Sequence, residues 1–353
     1  MTTRTTVNNK KNIFSAKLKL ATAALATGAA LVASCAQIQE FIFPTPSVPA
    51  EWNALMNEVR GYTRRMGFKP TENFKDVFAE KGGYSMCGHV PRLYLPYSYQ
   101  DPAIQWINSE TEQECREAAA GNDMFFTSLE AIGEIGTSVT SMMLEAKLDR
   151  FLYLVIHEDC HDQFDLPYGV EEALCELITY KAMAAFSIEK YGTKAREDRA
   201  VRRYTDAQAR LTRATISVYN EATQLYALHA RNELSTAALM QERERLYRRA
   251  ERTLEWRRGA LNNVGLSSNM TYSRHYPLLE AVHQALGGDL ARSVEFFSAV
   301  DRAKPARAAV MKRLKLMDEN NVQFVRAYEA AVVDTIYAQL KQRGIAIGPL
   351  PLK

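Results

Sequence analysis

From residue 142 to 156 the chain is built of good helix formers, holds no Gly or Pro, and turns apolar towards its end. That pattern predicts a helix whose C-terminal half is buried, stopping near Phe164 because Pro167 and Gly169 punctuate the next residues. From Val170 the sequence VEEALCELITYKAMAAF predicts a second helix packing back against the first. Residues 194–258 are rich in Arg, Glu, Ala and Leu, with no Gly or Pro. They predict a long helical hairpin broken near 232–235, with a charged, solvated face laced by i,i+4 ion pairs. A further helix is expected over 51–66. The best strand candidate is 90–99, where aromatic and aliphatic residues alternate and prolines suit an edge. The fold class expected is mainly α (α+β), with a small edge sheet and the hairpin inserted in one domain over 51–353.

The first 34 residues carry five basic residues, all within the first 19, and no acidic one, and they end in the Ala-rich run LATAALATGAALVAS. That is the charged start, apolar middle and small-residue end of a secretory signal. It stops at Val32-Ala33-Ser34-Cys35, which looks like a bacterial lipobox, so Cys35 is the expected lipidation site. Residues 35–50, with three prolines between 41 and 49, read as a tether. Removing the signal changes the charge from +3 to −2, since 39 basic residues then face 41 acidic ones. A basic surface for nucleic acid is not indicated. Four cysteines remain, Cys87, Cys115, Cys160 and Cys175, in a compartment that permits disulfides; they allow three pairings, of which Cys160–Cys175 would bridge the two helices.

The chemistry lies at the helix turn. His157-Glu158-Asp159-Cys160-His161 is an H-E-x-x-H motif. Residues four apart share a helix face, so both imidazoles can reach one metal ion, and Glu158 lies near enough to touch a water on it. The acidic pair Glu171-Glu172 follows ten and eleven residues after His161. Asp162, Asp165 and Glu176 are candidates to orient a ligand imidazole from behind. Tyr272 and His275, three apart, are both able to donate to a developing oxyanion.

HEDCH followed by EEALCE resembles the thermolysin-like zinc peptidases called gluzincins. Their second helix commonly reads Glu-Gly-Leu-Ala-Glu or Asn-Glu-x-x-Ala. In the first alignment Glu172 falls on the ligand position, Ala173 on the small residue, Cys175 on the Ala and Glu176 on the second Glu. In the second, Glu171 replaces the Asn, and Glu172 is still the ligand. A later segment, Leu261-Asn262-Asn263-Val264-Gly265-Leu266, then Thr271-Tyr272 and Gly287-Gly288-Asp289-Leu290, is similar to a family of bacterial lipoproteins described as predicted aminopeptidases. The likeness spans roughly 140–300 and does not reach the family's N-terminal pattern.

The resemblance implies a zincin-like core with one zinc ion per chain held by His157, His161 and Glu172, Glu158 as general base, and an edge strand holding the substrate backbone. It favours an aminopeptidase over an endopeptidase, with Tyr272 in the cleft and Glu171 and Asn263 as substrate-side candidates. The expected partners are a peptide substrate and, through the lipid, the membrane. Ala36 after the cysteine points to the outer membrane of a bacterial envelope, facing the periplasm. The reading from another class is a non-catalytic lipoprotein that binds a partner through its hairpin; it leaves Glu158 without a purpose.

Overall fold

The computed structural model describes residues 48–78, 84–131 and 136–348. The signal segment and Cys35 lie outside the described residues. No described helix is long and apolar enough to cross a membrane. The first helix among the described residues is α1 (Ala50–Arg65), one residue off the predicted 51–66. A small sheet follows: β1 (Val77–Phe78), β2 (Tyr84–Val90), β3 (Gln105–Ile107), α2 (Glu112–Ala118), β4 (Asp123–Leu129) and β5 (Val139–Thr140). β3, β2 and β4 form an antiparallel three-stranded sheet with β2 central, while β1 and β5 pair in parallel.

The strand expected over 90–99 is not there. The strand is β2, and it ends at Val90, immediately before Pro91. Pro91 and Pro96 lack the N–H a ladder needs. The intervening segment turns instead, with the Tyr94 N–H bonded to the Pro91 carbonyl. The strand that lines the cavity with His157 and His161 through three of its residues is β4, whose outer edge has no partner among the described strands.

After β5 come the short α3 (Ser141–Glu145) and then α4 (Leu148–His161). The single helix expected from 142 is therefore split. Ala146 and Lys147 are extended, so α4 starts afresh. No Gly or Pro marks the break. What holds it is tertiary: Met143 is drawn fully into the core, and Arg150 reaches across to Glu130 at the end of β4. α4 ends at His161, three residues before Phe164. Pro167 then opens α5 (Tyr168–Tyr191), where a missing N–H costs nothing, and Gly192 closes it at φ +83°. From Phe151 to His161 every residue of α4 is buried, as is Gly169 to Tyr180 of α5. This pair is the centre of the core.

The hairpin is α6 (Arg196–Ala230) and α7 (Thr236–Thr253), broken where expected. It is not solvated all round. A second apolar cluster, including Tyr219, Leu246, Tyr247 and Leu266, packs under it. Arg243, buried on α7, pairs with Asp123 of β4. The chain closes with α8 (Asn263–Ser273), α9 (Tyr276–Ala285), α10 (Leu290–Ala303), α11 (Arg307–Leu314) and α12 (Val322–Gln342). Disulfides join Cys87 to Cys115 and Cys160 to Cys175. The second crosslinks α4 to α5 directly behind the metal-ligand candidates, fixing one helix's register against the other.

Candidate metal centre

His157 and His161 lie one turn apart on α4, and Glu172 lies one turn into α5. The disulfide and the buried faces of both helices bring their tips together. His157 Nε2 is 3.2 Å from Glu172 Oε2, His161 Nε2 is 3.4 Å from the same oxygen, and the two Nε2 atoms are 3.3 Å apart. All three residues are buried. Three ligands on a tetrahedral zinc, each bound at about 2.0–2.1 Å, stand about 3.3 Å from one another. The triangle fits that geometry. Its chemistry fits as well, because two imidazole nitrogens and one carboxylate oxygen converge on a common point. Two nitrogens and one oxygen with an open side is a catalytic zinc donor set.

The electrostatics follow from this convergence. Burial alone would raise the Glu172 carboxyl, but the adjacent imidazoles of His161 and His157 outweigh it and hold the carboxyl far below the usual range. Burial alone would lower His161, but the charge of Glu172 and the bond to Glu171 lift it well above its ordinary value.

Glu171, Asn263 and His275 take places other than those expected. Glu171 was a candidate to hold a substrate amine. Its Oε1 instead meets His161 Nδ1 at 2.9 Å, and its Oε2 accepts the Leu166 N–H at 2.8 Å. It lies behind His161 and lines a second cavity instead of the one that receives Glu158, so its place is that of the carboxylate that orients His161. The adjacent acidic residues divide the work: Glu172 faces the ligand triangle and Glu171 backs it. Asn263, the other substrate-side candidate, is fully buried away from the cavity. Its Oδ1 accepts from Arg243 and Tyr247, and its Nδ2 donates to the carbonyls of Arg92 and Tyr94. Asn262 caps α8 through the Gly265 N–H. The L-N-N segment is thus a structural joint between hairpin, sheet and α8. His275 is bonded to buried Glu329 at 2.9 Å, together with the Tyr97 hydroxyl, and does not line the cleft.

Tyr272 does line it. Its ring lies 6.4 Å from that of His157. Burial, then the charges of Glu172 and Glu176, push its phenol well above the ordinary value, so it stays a neutral donor. Glu158 lines the same cavity, of about 520 Å³, as do Phe125, Thr127 and Leu129 of β4. Replacing Tyr272 by Phe should lower kcat with little change in KM or zinc content, the pattern of an interaction made in the transition state. Steady-state kinetics beside metal analysis reads this directly; an equal loss of zinc would move Tyr272 to a structural role.

Of the three residues expected to orient an imidazole from behind, Glu176 has the best position. It accepts from the Tyr153 hydroxyl at 2.7 Å, and the Tyr153 ring stacks on His157 at 4.8 Å. His157 Nδ1 and Glu176 Oε2 are both buried without a hydrogen-bond partner, and the two residues interact electrostatically. Asp162 and Asp165 face elsewhere, towards Asn73 and Lys304. Asp159 within the motif also points away, gripping Arg60 of α1 in a bidentate pair.

The structure adds Tyr168. It stands one turn before Glu172 on α5, interacts with both Glu172 and Tyr272, and stacks on Tyr99 at 5.6 Å. The i,i+4 spacing to Glu172 was a legible signal for it. Gly169 beside it is required by packing, since a Cβ there would lie 2.5 Å from a Glu329 carboxylate oxygen. A second, more polar cavity of about 610 Å³ shares Gln100, His161 and Tyr168 with the first.

With this geometry the chain was compared with known proteins. No family model, no curated protein and no solved structure matches it. The site's own residues therefore carry the functional reading.

Proposed function

We propose that this protein is a zinc-dependent peptidase, acting from the amino end of its substrate and tethered to the bacterial envelope by a lipid on Cys35. The observation that carries it is the ligand triangle of His157, His161 and Glu172 in the wall of a cavity that also receives Glu158 and Tyr272. A zinc ion held there would supply an acidified water and a Lewis acid for the scissile carbonyl. Glu158 accepts the proton of the attacking water and passes it to the leaving amine. Tyr272 donates to the oxygen on which charge develops. Glu171 fixes the His161 ring, and Tyr153 with Glu176 fixes His157. A zincin-like core is part of this reading, supported by the H-E-x-x-H helix, the glutamate helix and the outer strand β4.

The preference for the amino end rests on the resemblance, and zinc endopeptidase activity is the alternative within the class. The alternative outside it, a partner-binding lipoprotein, would use the hairpin; the inner face of that hairpin is already covered by the sheet and α8. Cleavage of a peptide library by the zinc-loaded protein and by its Glu158→Gln variant separates the classes. For the anchor, Cys35→Ala should block lipidation and leave an unprocessed or soluble protein. Mass spectrometry of the mature N-terminus would show it, and an N-terminus elsewhere without a diacylglycerol mass would rule the anchor out.

A further inference from the structure

The cavity wall holds a charged pair that the chemistry above does not use. Arg150 of α4 donates from Nε and Nη2 to the two oxygens of Glu130, at 3.0 and 2.8 Å. Both side chains line the metal cavity. Burial alone would raise the Glu130 carboxyl, but the Arg150 bonds and charge keep it below its ordinary range, so it is ionised. The pair helps to place the start of α4, but its net contribution to stability is small, because the desolvation cost offsets most of the attraction.

The cavity has four carboxylates among its described lining residues. Glu172 belongs to the ligand triangle and Glu158 faces the reacting water. Glu176 holds Tyr153 behind His157. Glu130 is the fourth. Arg150 occupies one lone pair on each of its oxygens and fixes its orientation, and its own backbone N–H takes a third site, leaving about one acceptor site open.

The distance from this group to the metal centre can be read from the helix. Arg150, Tyr153 and His157 fall three and four residues apart, on one face of α4. They also stack in order: the Arg150 guanidinium lies 4.6 Å from the Tyr153 ring centre, and that ring lies 4.8 Å from His157. Seven residues at a rise of about 1.5 Å place the pair roughly 10 Å along the helix from His157. An extended peptide covers that distance in about three residues, at about 3.3–3.6 Å each.

We propose that Glu130, held by Arg150, anchors the protonated amino terminus of a peptide, and that its distance from the ligand triangle directs cleavage after the second or third residue. The substrate class is then short peptides with a free amino end, and the products are di- and tripeptides instead of single amino acids. This inference rests on the peptidase reading.

The test uses the full zinc-loaded chain and one peptide of about ten residues in three forms: both ends free, N-acetylated, and C-amidated. Mass spectrometry identifies the first products. The free peptide should lose di- or tripeptides from its amino end. Acetylation should raise KM about tenfold or more, the scale of one charge-assisted hydrogen bond. Amidation should change nothing. In Glu130→Gln the free peptide should fall to the level of the acetylated one, while cleavage of the acetylated peptide stays as in the wild type. Release of single residues, cutting at the carboxyl end, or discrimination that persists in Glu130→Gln would each overturn the anchor while leaving a peptidase. No cleavage of any form by the wild type would overturn both readings. If Glu130→Gln does not fold, the product lengths of the wild type still decide.

Discussion

Replacing Glu158 by Gln should keep zinc and abolish most peptide hydrolysis, by at least about a hundredfold, the usual scale for a general base. The substitution keeps the side chain's size and removes its basicity. Glu158 is not a member of the ligand triangle, so the metal should stay. Its main chain is also secured from the other side, where Asn73 donates to its carbonyl at 2.9 Å. The helix should therefore hold its position, and the loss should fall on kcat. Activity equal to the wild type would remove Glu158 from the mechanism. Loss of zinc together with activity would make it part of the metal's support.

The second large effect concerns the adjacent glutamates. Glu172→Ala removes a ligand and should empty the site; Glu171→Ala should only weaken it, by about 10–100-fold, as removal of an orienting group typically does. The order should reverse if Glu171 is the true ligand. The geometry gives the reason for the order expected: Glu172 Oε2 faces both Nε2 atoms, whereas Glu171 meets the rear nitrogen of His161. The metal-free site also predicts a pH dependence. His161 is lifted above its ordinary value by the charge of Glu172 and the bond to Glu171. Zinc needs the neutral imidazole, so binding must expel a proton. Affinity should fall as the pH falls through and below that raised value. Isothermal titration in buffers of different ionisation enthalpy would count the proton released.

Much of this site was legible from residue spacing. The H-E-x-x-H helix, the helix after Pro167 and the hairpin broken at 232–235 each rest on a local pattern, and each forms close to where that pattern put it. Local pattern alone was a poor guide where tertiary contacts decide. Prolines within 90–99 looked like an edge strand but force a turn, and the true outer strand, β4, has mixed burial that gives no clean alternation. Tyr272 and His275 looked equivalent at a spacing of three. On α8 the first faces His157, while the second lies past the helix end and turns to Glu329. Asn263 read as functional because it sits in a family-like motif, yet its bonds join four separate chain segments. Glu130 gave no signal at all, because its partnership with Arg150 spans twenty residues and exists only in the folded chain.

The most direct test of the account is the zinc content of the wild-type chain, purified without added metal and then dialysed against limiting zinc. The ligand triangle predicts about one zinc per chain, lost to a chelator and restored on return of the metal. A correctly folded wild type that takes up no zinc under these conditions would contradict the account.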